Sequence, residues 1–326
     1  MWDRDDRTKT RDASELPGVI ETIGMAFTRL IARPWIVLGP VLLDLWLWLG
    51  LKITAGPLML KVADEVRPVD TLGDSVANFF EGQAQYNLTE LTSMNLFIVR
   101  MPTFLPMIGS PDSLRFSGWG PELAEGAWWL LAAMVPALLA VGFVIGAAFL
   151  VMLGDVSRDR TPRFDVRRTL TASYRLVFWV LTGVGLLVLL TWPLLVAQGV
   201  FIYAGSGVVG ILLFLISIPA GVGFILFFFS VYAIVLDETS ATQAFRSSYR
   251  VIRAYGWESV AFIVSYMIVT GGFPFFWRLL IDEAPGTLIA IIGNAFVSTG
   301  MIAAGMIYYE DRAAIIGPGD PVIQAG

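Results

Sequence analysis

Long runs of apolar residues, separated by polar and charged stretches, dominate the sequence. A bilayer core of about 30 Å needs a helix of about 20 predominantly apolar residues to cross it. Six runs meet this requirement and predict membrane-spanning helices at residues 35–58, 124–153, 175–203, 207–236, 257–280 and 287–309. The pattern therefore predicts an all-α integral membrane protein with six transmembrane helices.

A basic segment precedes the first, third and fifth predicted spans, and these three segments resemble one another. Ser-Tyr-Arg at 173–175 recurs at 248–250, and a weaker copy at 26–35 places Arg29 at the position of Arg175 and Arg250. Apolar and basic residues recur at helical spacing in the copies, which indicates amphipathic helices at a membrane surface. Ser240 and Gln243 have the spacing of a capping box at the start of the third helix.

The copies predict three pseudo-repeated units, each an inner amphipathic helix followed by a two-span hairpin. Arg29 and Arg175 are 146 residues apart, against 75 for Arg175 and Arg250, and the difference of 71 is close to the length of a long segment between the first two spans. The predicted segments are a charged cytoplasmic tail at 1–17, a first hairpin unit at 18–153 with an outer insert at 62–123, a second unit at 154–236, a third unit at 237–309 and a cytoplasmic tail at 310–326.

The distribution of basic residues predicts the orientation of the chain. Charged residues make up 15% of the sequence, against about a quarter in a soluble domain, and the mean hydropathy is +0.71. The predicted inner segments hold 6 Lys or Arg before residue 34, 6 at 158–175, 3 at 246–253 and Arg312, which makes 16 of the 22, and the outer segments hold the other 6. Lys and Arg accumulate on the cytoplasmic side of membranes. We therefore expect a multi-pass protein of a bacterial-type inner cell membrane with both termini in the cytoplasm.

The distribution of charge also suggests what the protein contacts on the outer and inner sides of the membrane. The outer insert is rich in carboxylates and is a candidate surface for a protein partner; they are Asp64, Glu65, Asp70, Asp74, Glu81, Glu90, Asp112 and Glu122. Four basic residues of the inner amphipathic helices are candidate contacts for anionic lipid headgroups: Arg175, Arg246, Arg250 and Arg253. Simple anchoring at the interface is the alternative role for these arginines. The net charge of −5 gives no reason to expect nucleic acid as a partner.

Asp44 is an acidic residue inside the first predicted span. A charge in the membrane costs at least a few kcal/mol, so Asp44 is expected to face protein, to accept hydrogen bonds or to be protonated. Tyr266 and Asn294 lie at comparable depth in the fifth and sixth spans, and they complete a candidate intramembrane polar cluster. Such a cluster either docks helices together or serves proton or cation binding. A third alternative is that the span begins later, so that Asp44 lies near the inner interface.

The sequence offers little for catalysis. It contains neither cysteine nor histidine, which removes thiol nucleophiles, imidazole bases and Cys/His metal sites. No P-loop, dinucleotide fingerprint or nucleophile elbow occurs. We therefore expect a non-enzymatic protein, and we predict no catalytic residue, cofactor or metal site.

Two segments resemble a known family. Residues 235–260, VLDETSATQAFRSSYRVIRAYGWESV, and 301–313, MIAAGMIYYEDRA, are similar to the glycerophosphoryl diester phosphodiesterase membrane-domain family. The positions that carry the similarity are Asp237, Ala244, Ser248, Tyr308, Tyr309, Asp311 and Arg312. The resemblance implies a multi-span membrane domain. Some family members join such a domain to a catalytic barrel that needs histidines, so their phosphodiesterase activity is not expected of this chain.

Two functions fit these features. The first is a non-enzymatic scaffold or partner subunit of a membrane complex, which the acidic outer insert and the lack of catalytic residues favour. The alternative is a transporter or lipid-handling protein with a polar site at Asp44 near the midplane, which the repeat and the buried acid favour.

Overall fold

A computed structural model describes residues 16–69, 71–84, 86–93, 102–104, 123, 127–203, 221–281 and 283–316. These residues are almost entirely helical, and the only β-type pairing among them is an isolated bridge between Thr54 and Asn87. Among the described residues, four helices are long and apolar enough to cross a membrane, or five spans are present if one bent helix pair counts as a span. The chain is therefore an all-helical, membrane-embedded protein.

Ten α-helices of the described residues have assigned bounds. They are α1 (Val19–Ala32), α2 (Leu38–Leu49), α3 (Gly56–Val66), α4 (Thr71–Ala84), α5 (Trp128–Ser157), α6 (Val166–Tyr203), α7 (Ser230–Leu236), α8 (Ala241–Ala254), α9 (Gly256–Trp277) and α10 (Ala284–Ile316). Short 3₁₀ helices occur at Pro34–Val37, Arg67–Val69, Leu88–Thr92 and Arg278–Leu280. The four long candidate spans are α5, the first 21 residues of α6, α9 with the 3₁₀ turn after it, and α10.

The first predicted span, 35–58, is not one helix. The segment Pro34–Leu49 meets α1 at a bend of 95°, and α2 ends at Leu49. The 12 residues of α2 cover about 18 Å at 1.5 Å per residue, which is less than a bilayer core. The chain leaves the helix because residues 51–55 pair with the outer insert: Leu88 N–H donates to Ile53 O at 2.8 Å, and Leu123 N–H donates to Thr54 O at 2.9 Å.

The predicted amphipathic helices take two forms. The third is a separate helix, α8, that begins at the predicted Ser240–Gln243 capping box, where Ser240 N–H donates to the Gln243 side chain at 3.3 Å. The second is continuous with the span that follows it, because α6 runs for 38 residues without a break. The fourth predicted span, 207–236, lies partly outside the described residues; from 221 it is helical, with a turn at 228–229 before α7.

The chain forms two compact units. Unit 1 comprises residues 1–33, 150–269 and 300–326, and unit 2 comprises residues 34–149 and 270–299. An aromatic core fills unit 1; its buried members are Phe228, Phe229, Tyr232, Phe262, Tyr308 and Tyr309. Gly305 allows Tyr232 to pack closely against α10, since a Cβ at position 305 would lie 2.5 Å from the Tyr232 hydroxyl oxygen.

Unit 2 contains a helical hairpin outside the long spans. Helices α3 and α4 pack against each other, and Pro57 in the first turn of α3 suits a helix start. A small apolar cluster of Ala55, Leu58, Leu88 and Leu123 is buried beneath the hairpin segment. Gly142 in α5 lets the insert approach closely, because a Cβ there would lie 2.6 Å from the Thr92 carbonyl oxygen.

Candidate functional site

Arg158 connects the ends of three helices in unit 1. It directly follows α5, and its Nε atom lies 2.8 Å from a carboxylate oxygen of Glu310 in α10. The same guanidinium donates to the carbonyl oxygen of Leu236, the last residue of α7, at 3.0 Å, and it lies 3.8 Å from the Asp237 carboxylate. Only 10% of the Arg158 side chain is exposed. This arrangement neutralises the partial negative charge at helix C-termini while it holds them together.

A second ion-paired group joins the end of α5 to the start of α6. Arg168 lies 2.9 Å from the Asp155 carboxylate and 3.2 Å from that of Glu238. Asp155 also accepts the backbone N–H of Arg163 at 3.2 Å. We refer to Asp155, Arg158, Arg168, Asp237, Glu238 and Glu310 as the helix-end cluster. Each of its two arginines is shared by two carboxylates, so the four carboxylates outnumber the arginines, and its geometry is that of a structural clamp.

The arginine shared by the three sequence copies is turned toward the protein in each. Arg29 donates to the carbonyl oxygen of Ser157, the last residue of α5, and Arg175 donates to that of Glu238, just beyond α7. Arg250 donates to Ser247 Oγ at 3.2 Å and interacts electrostatically with Tyr309 near the end of α10. These arginines are therefore partly used in internal contacts.

The backbone beyond α5 and α7 has the same unusual conformation. Asp159 and Glu238 each lie two residues past the last helical residue, and they have φ angles of 56° and 52°. A left-handed residue at this position is a common way to end a helix, and it redirects carbonyl groups that the helix leaves unpaired. The shared conformation shows that the two helix ends are built alike.

Arg312 is almost completely buried at the end of α10. It is 1% exposed, and its guanidinium carbon lies 3.5 Å from the centre of the Tyr308 ring, a cation–π contact. It pairs with Glu258 at 3.3 Å and donates to the carbonyl oxygen of Pro17 at 3.2 Å. Burial raises the pKa of the nearby Tyr255 phenol, the Arg312 charge opposes this, and Glu258 adds to it.

The residues that carry the family resemblance also make buried contacts. Tyr309 donates from its hydroxyl to Asp237 at 2.7 Å. Ser248 donates to the carbonyl oxygen of Leu226 at 2.7 Å and accepts the Phe229 N–H at 3.2 Å, and Ala244 is fully buried beside it on α8. These positions hold α8 and α10 to the core of unit 1.

Asp44 is fully buried in unit 2, as its position in an apolar helix predicts. Both of its carboxylate oxygens lie within hydrogen-bond distance of the Phe104 backbone N–H, at 3.0 and 2.8 Å. Phe104 belongs to the outer insert and is itself fully buried. Asp44 therefore satisfies a backbone donor of an irregular segment that enters the protein.

The other two members of the predicted polar cluster occupy different surroundings. Tyr266 lies in unit 1, with its ring centre 5.0 Å from that of Phe228. Asn294 lies in unit 2 with Asp44; it is 1% exposed, and its side-chain amide has no hydrogen-bond partner among the described residues. The cluster stays a prediction.

The four predicted headgroup arginines fall into two pairs. Arg175 and Arg250 are half-buried and make the internal contacts described above. Arg246 and Arg253 are exposed on α8 and form no hydrogen bond or ion pair with any other described residue. Of the four, only Arg246 and Arg253 are therefore available for contacts outside the protein.

Sequence reasoning missed Arg158, Arg168 and Phe104 as contact residues. A signal for the two arginines was present, since Asp155 and Asp237 follow the predicted spans that end at 153 and 236, and basic residues lie close by. Phe104 carried no such signal because its contact to Asp44 is made by the backbone.

Surface depressions in the described parts of the chain include the following two. One, of about 400 Å³ in unit 1, is lined by Glu21, Gly24, Met25, Thr28 and Arg29. The other, of about 440 Å³ in unit 2, is lined by Pro34, Val37, Leu38, Val41, Ile292, Gly293 and Phe296 and is almost wholly apolar. Within the described ranges, no group of three or more acidic side chains could hold a metal ion.

The sequence and the fold were compared with known proteins. No protein-family model, no curated protein and no solved structure matches the chain.

Proposed function

We propose that the protein is a non-enzymatic scaffold or partner subunit of a membrane complex, which binds its partner through the α3–α4 hairpin. The observation that supports this is the mixed surface of the hairpin. Leu60 on α3 and Val76 and Phe79 on α4 are exposed by 48%, 38% and 62%. Exposed apolar side chains on an element that is too polar to be a membrane span are typical of a protein-binding surface.

The charge of the hairpin indicates the kind of partner. Asp64, Glu65 and Asp74 are exposed on the same two helices. Val76 and Phe79 are three residues apart, so they lie on one face of α4. Exposed apolar side chains on the same two helices as these carboxylates suit a partner that offers both an apolar contact surface and basic groups.

The proposal places the hairpin on the outer side of the membrane and both termini in the cytoplasm. The segments that the sequence assigns to the inner side hold 16 of the 22 Lys and Arg residues. Segregation of this kind is what the positive-inside rule expects. Membership of the glycerophosphoryl diester phosphodiesterase membrane-domain family belongs to the same proposal and rests on the residues from Asp237 to Arg312.

Purification in a mild detergent tests the scaffold role. A stoichiometric partner should accompany the full chain, and Phe79→Asp should lose it. The matched control is Phe164→Asp, because Phe164 is exposed by 64% but lies in the connection between α5 and α6. A chain that purifies alone as a stable folded monomer, or a partner retained by Phe79→Asp, would refute the proposal.

A lipid-handling role is a second candidate, and the apolar depression in unit 2 favours it. Its volume of about 440 Å³ is within the usual range of small-molecule pockets, and its lining would suit part of an acyl chain. Leu38 and Val41 line it, and Asp44 follows one turn further along α2. This role predicts that Asp44→Asn abolishes lipid movement in reconstituted vesicles without loss of expression; unchanged movement would exclude a role for the acid.

A further inference from the structure

The rotation of α8 about its axis is fixed by its contacts with the core of unit 1. Ala241, Ala244, Ser248, Val251 and Ile252 are buried along one face. The two hydrogen bonds of Ser248, to residues 226 and 229, anchor that face to the helix and turn before α7. The opposite face is therefore held outward and is not free to turn in.

That outward face carries two arginines with an aromatic residue between them, and a second aromatic residue follows at the start of α9. Arg246, Tyr249 and Arg253 are spaced by three and four residues, which places them in one stripe along α8, and Trp257 follows in the first turn of α9. Tyr249 is 47% exposed and Trp257 is 82% exposed. We call these four residues the α8 stripe. Its two arginines are about 10 Å apart along the helix axis, at 1.5 Å per residue.

A comparison of the sequence copies distinguishes the arginines that make internal contacts from the two arginines of the stripe. Arg250 aligns with Arg175, and both make contacts within unit 1. Arg246 aligns with Thr171, and Arg253 aligns with Phe178, so the second copy lacks both charges of the stripe. The two charges of the stripe are therefore not shared with the second copy.

The position of the stripe next to a candidate membrane span indicates which part of the bilayer the stripe contacts. The apolar helix α9 begins at Gly256, so Trp257 lies where a membrane span starts. Exposed Trp and Tyr favour the headgroup level of a bilayer. The one carboxylate close in sequence, Glu258, is paired with Arg312 and does not cancel the charge of the stripe.

We propose that the α8 stripe is a binding site for the phosphate of anionic phospholipids, with Arg246 and Arg253 as the charged contacts and Tyr249 and Trp257 packing at the interface. A guanidinium suits phosphate because it donates several N–H groups in one plane. The site is independent of the proposed protein partner at the α3–α4 hairpin.

Native mass spectrometry of the full chain in detergent tests the site, with phosphatidylglycerol as probe and phosphatidylcholine as neutral comparison. We expect Arg246→Gln/Arg253→Gln to bind phosphatidylglycerol about thirtyfold more weakly than the unchanged chain, at about a kcal/mol for each charge. The control is Arg163→Gln/Arg167→Gln, which removes two exposed charges near the start of α6 and should leave binding within about twofold. Equal losses in the two variants would show a general charge effect and overturn the proposal.

A charge-preserving variant and a competition with inorganic phosphate complete the experiment. Arg246→Lys/Arg253→Lys keeps the charge but lacks the planar donors, so its binding should lie between that of the unchanged chain and that of the Gln variant. A loss as large as that of the Gln variant would contradict the charge-based contact. Inorganic phosphate at millimolar concentration should not displace the lipid, because the aromatic residues of the stripe contribute to lipid binding alone. Displacement by free phosphate would instead identify a soluble anion as the ligand and overturn the lipid assignment.

Discussion

At the scale of single residues, Asp44 accepts a hydrogen bond that the outer insert cannot make with water. The Phe104 N–H is fully buried and points to both carboxylate oxygens. Asp44→Leu should expose this donor to an apolar environment and cost about 1–3 kcal/mol. We expect faster amide hydrogen exchange at residues 102–104 and a lower melting temperature in detergent.

Asp44→Asn is the matched variant, because the amide keeps an acceptor oxygen at the same place. It should preserve slow exchange at residues 102–104 and lose much less stability. If Asp44→Leu were as stable as the unchanged chain, with unchanged exchange, the carboxylate would not be what holds the insert.

Arg158 provides the second test at this scale. Arg158→Ala removes its contacts to Glu310, Leu236 and Asp237 at once, and the loss of a largely buried ion pair should cost about 3 kcal/mol. Arg158→Lys should recover only part of this, because an ammonium lacks the forked donors. The control is Arg246→Ala, which removes an exposed arginine and should change stability by about 0.5 kcal/mol or less. Thermal unfolding of the three variants would compare them, and equal melting temperatures would contradict the clamp role.

From the sequence it was easier to recognise residues with an unusual position, such as a carboxylate in an apolar helix, than to predict which groups they contact. The burial of Asp44 follows from its apolar neighbours, but its partner is a backbone group, which any residue type supplies. Arg246 and Arg250 look equivalent in the sequence, yet one is exposed and the other is half-buried. Their difference depends on the rotation of α8, which the core of unit 1 determines.

At the scale of helices, Asn87 links the outer insert to the chain after α2. Its side-chain oxygen accepts the N–H groups of Ile53 and Thr89, at 3.1 and 3.2 Å, and the Thr89 hydroxyl at 2.9 Å. Because Asn87 is 7% exposed, its loss leaves two backbone donors without their acceptor. Asn87→Ala should destabilise unit 2 by about 2–3 kcal/mol.

Limited proteolysis would measure this effect. Asn87→Ala should make the segment near residues 51–55 more susceptible, whereas Asn87→Asp keeps the accepting oxygen and should resist cleavage nearly as well as the unchanged chain. Unchanged resistance of the Ala variant would show that the segment is held by other contacts.

Some helix boundaries could be predicted from the sequence and others could not. Pro34 precedes the bend between α1 and α2, and Gly256 opens α9 directly after α8 ends. The corresponding positions of the second copy are Val180 and Leu181, and there α6 continues unbroken. Pro and Gly are the weakest helix formers, so this difference was readable from the residues. The end of α2 was not, because it depends on pairing with residues far away in the chain.

At the scale of the whole molecule, the orientation in the membrane is the prediction with the widest consequences. Both proposed binding surfaces depend on it, since the α3–α4 hairpin would face outward and the α8 stripe would face the cytoplasm. The chain contains no cysteine, so a single introduced thiol can report its side without background.

Phe79 and Phe164 are suitable positions for a single introduced cysteine because they are the same residue type with similar exposure, 62% and 64%. We expect a membrane-impermeant maleimide to label Phe79→Cys in intact spheroplasts and to label Phe164→Cys only after the membrane is opened. Ala147→Cys, at a fully buried position in α5, should stay unlabelled in both conditions. The physical reason is the excess of arginine around Phe164, which the positive-inside rule keeps in the cytoplasm. Labelling of both exposed positions in intact spheroplasts would place the two surfaces on the same side, and the reverse pattern would invert the orientation and with it both proposed partners.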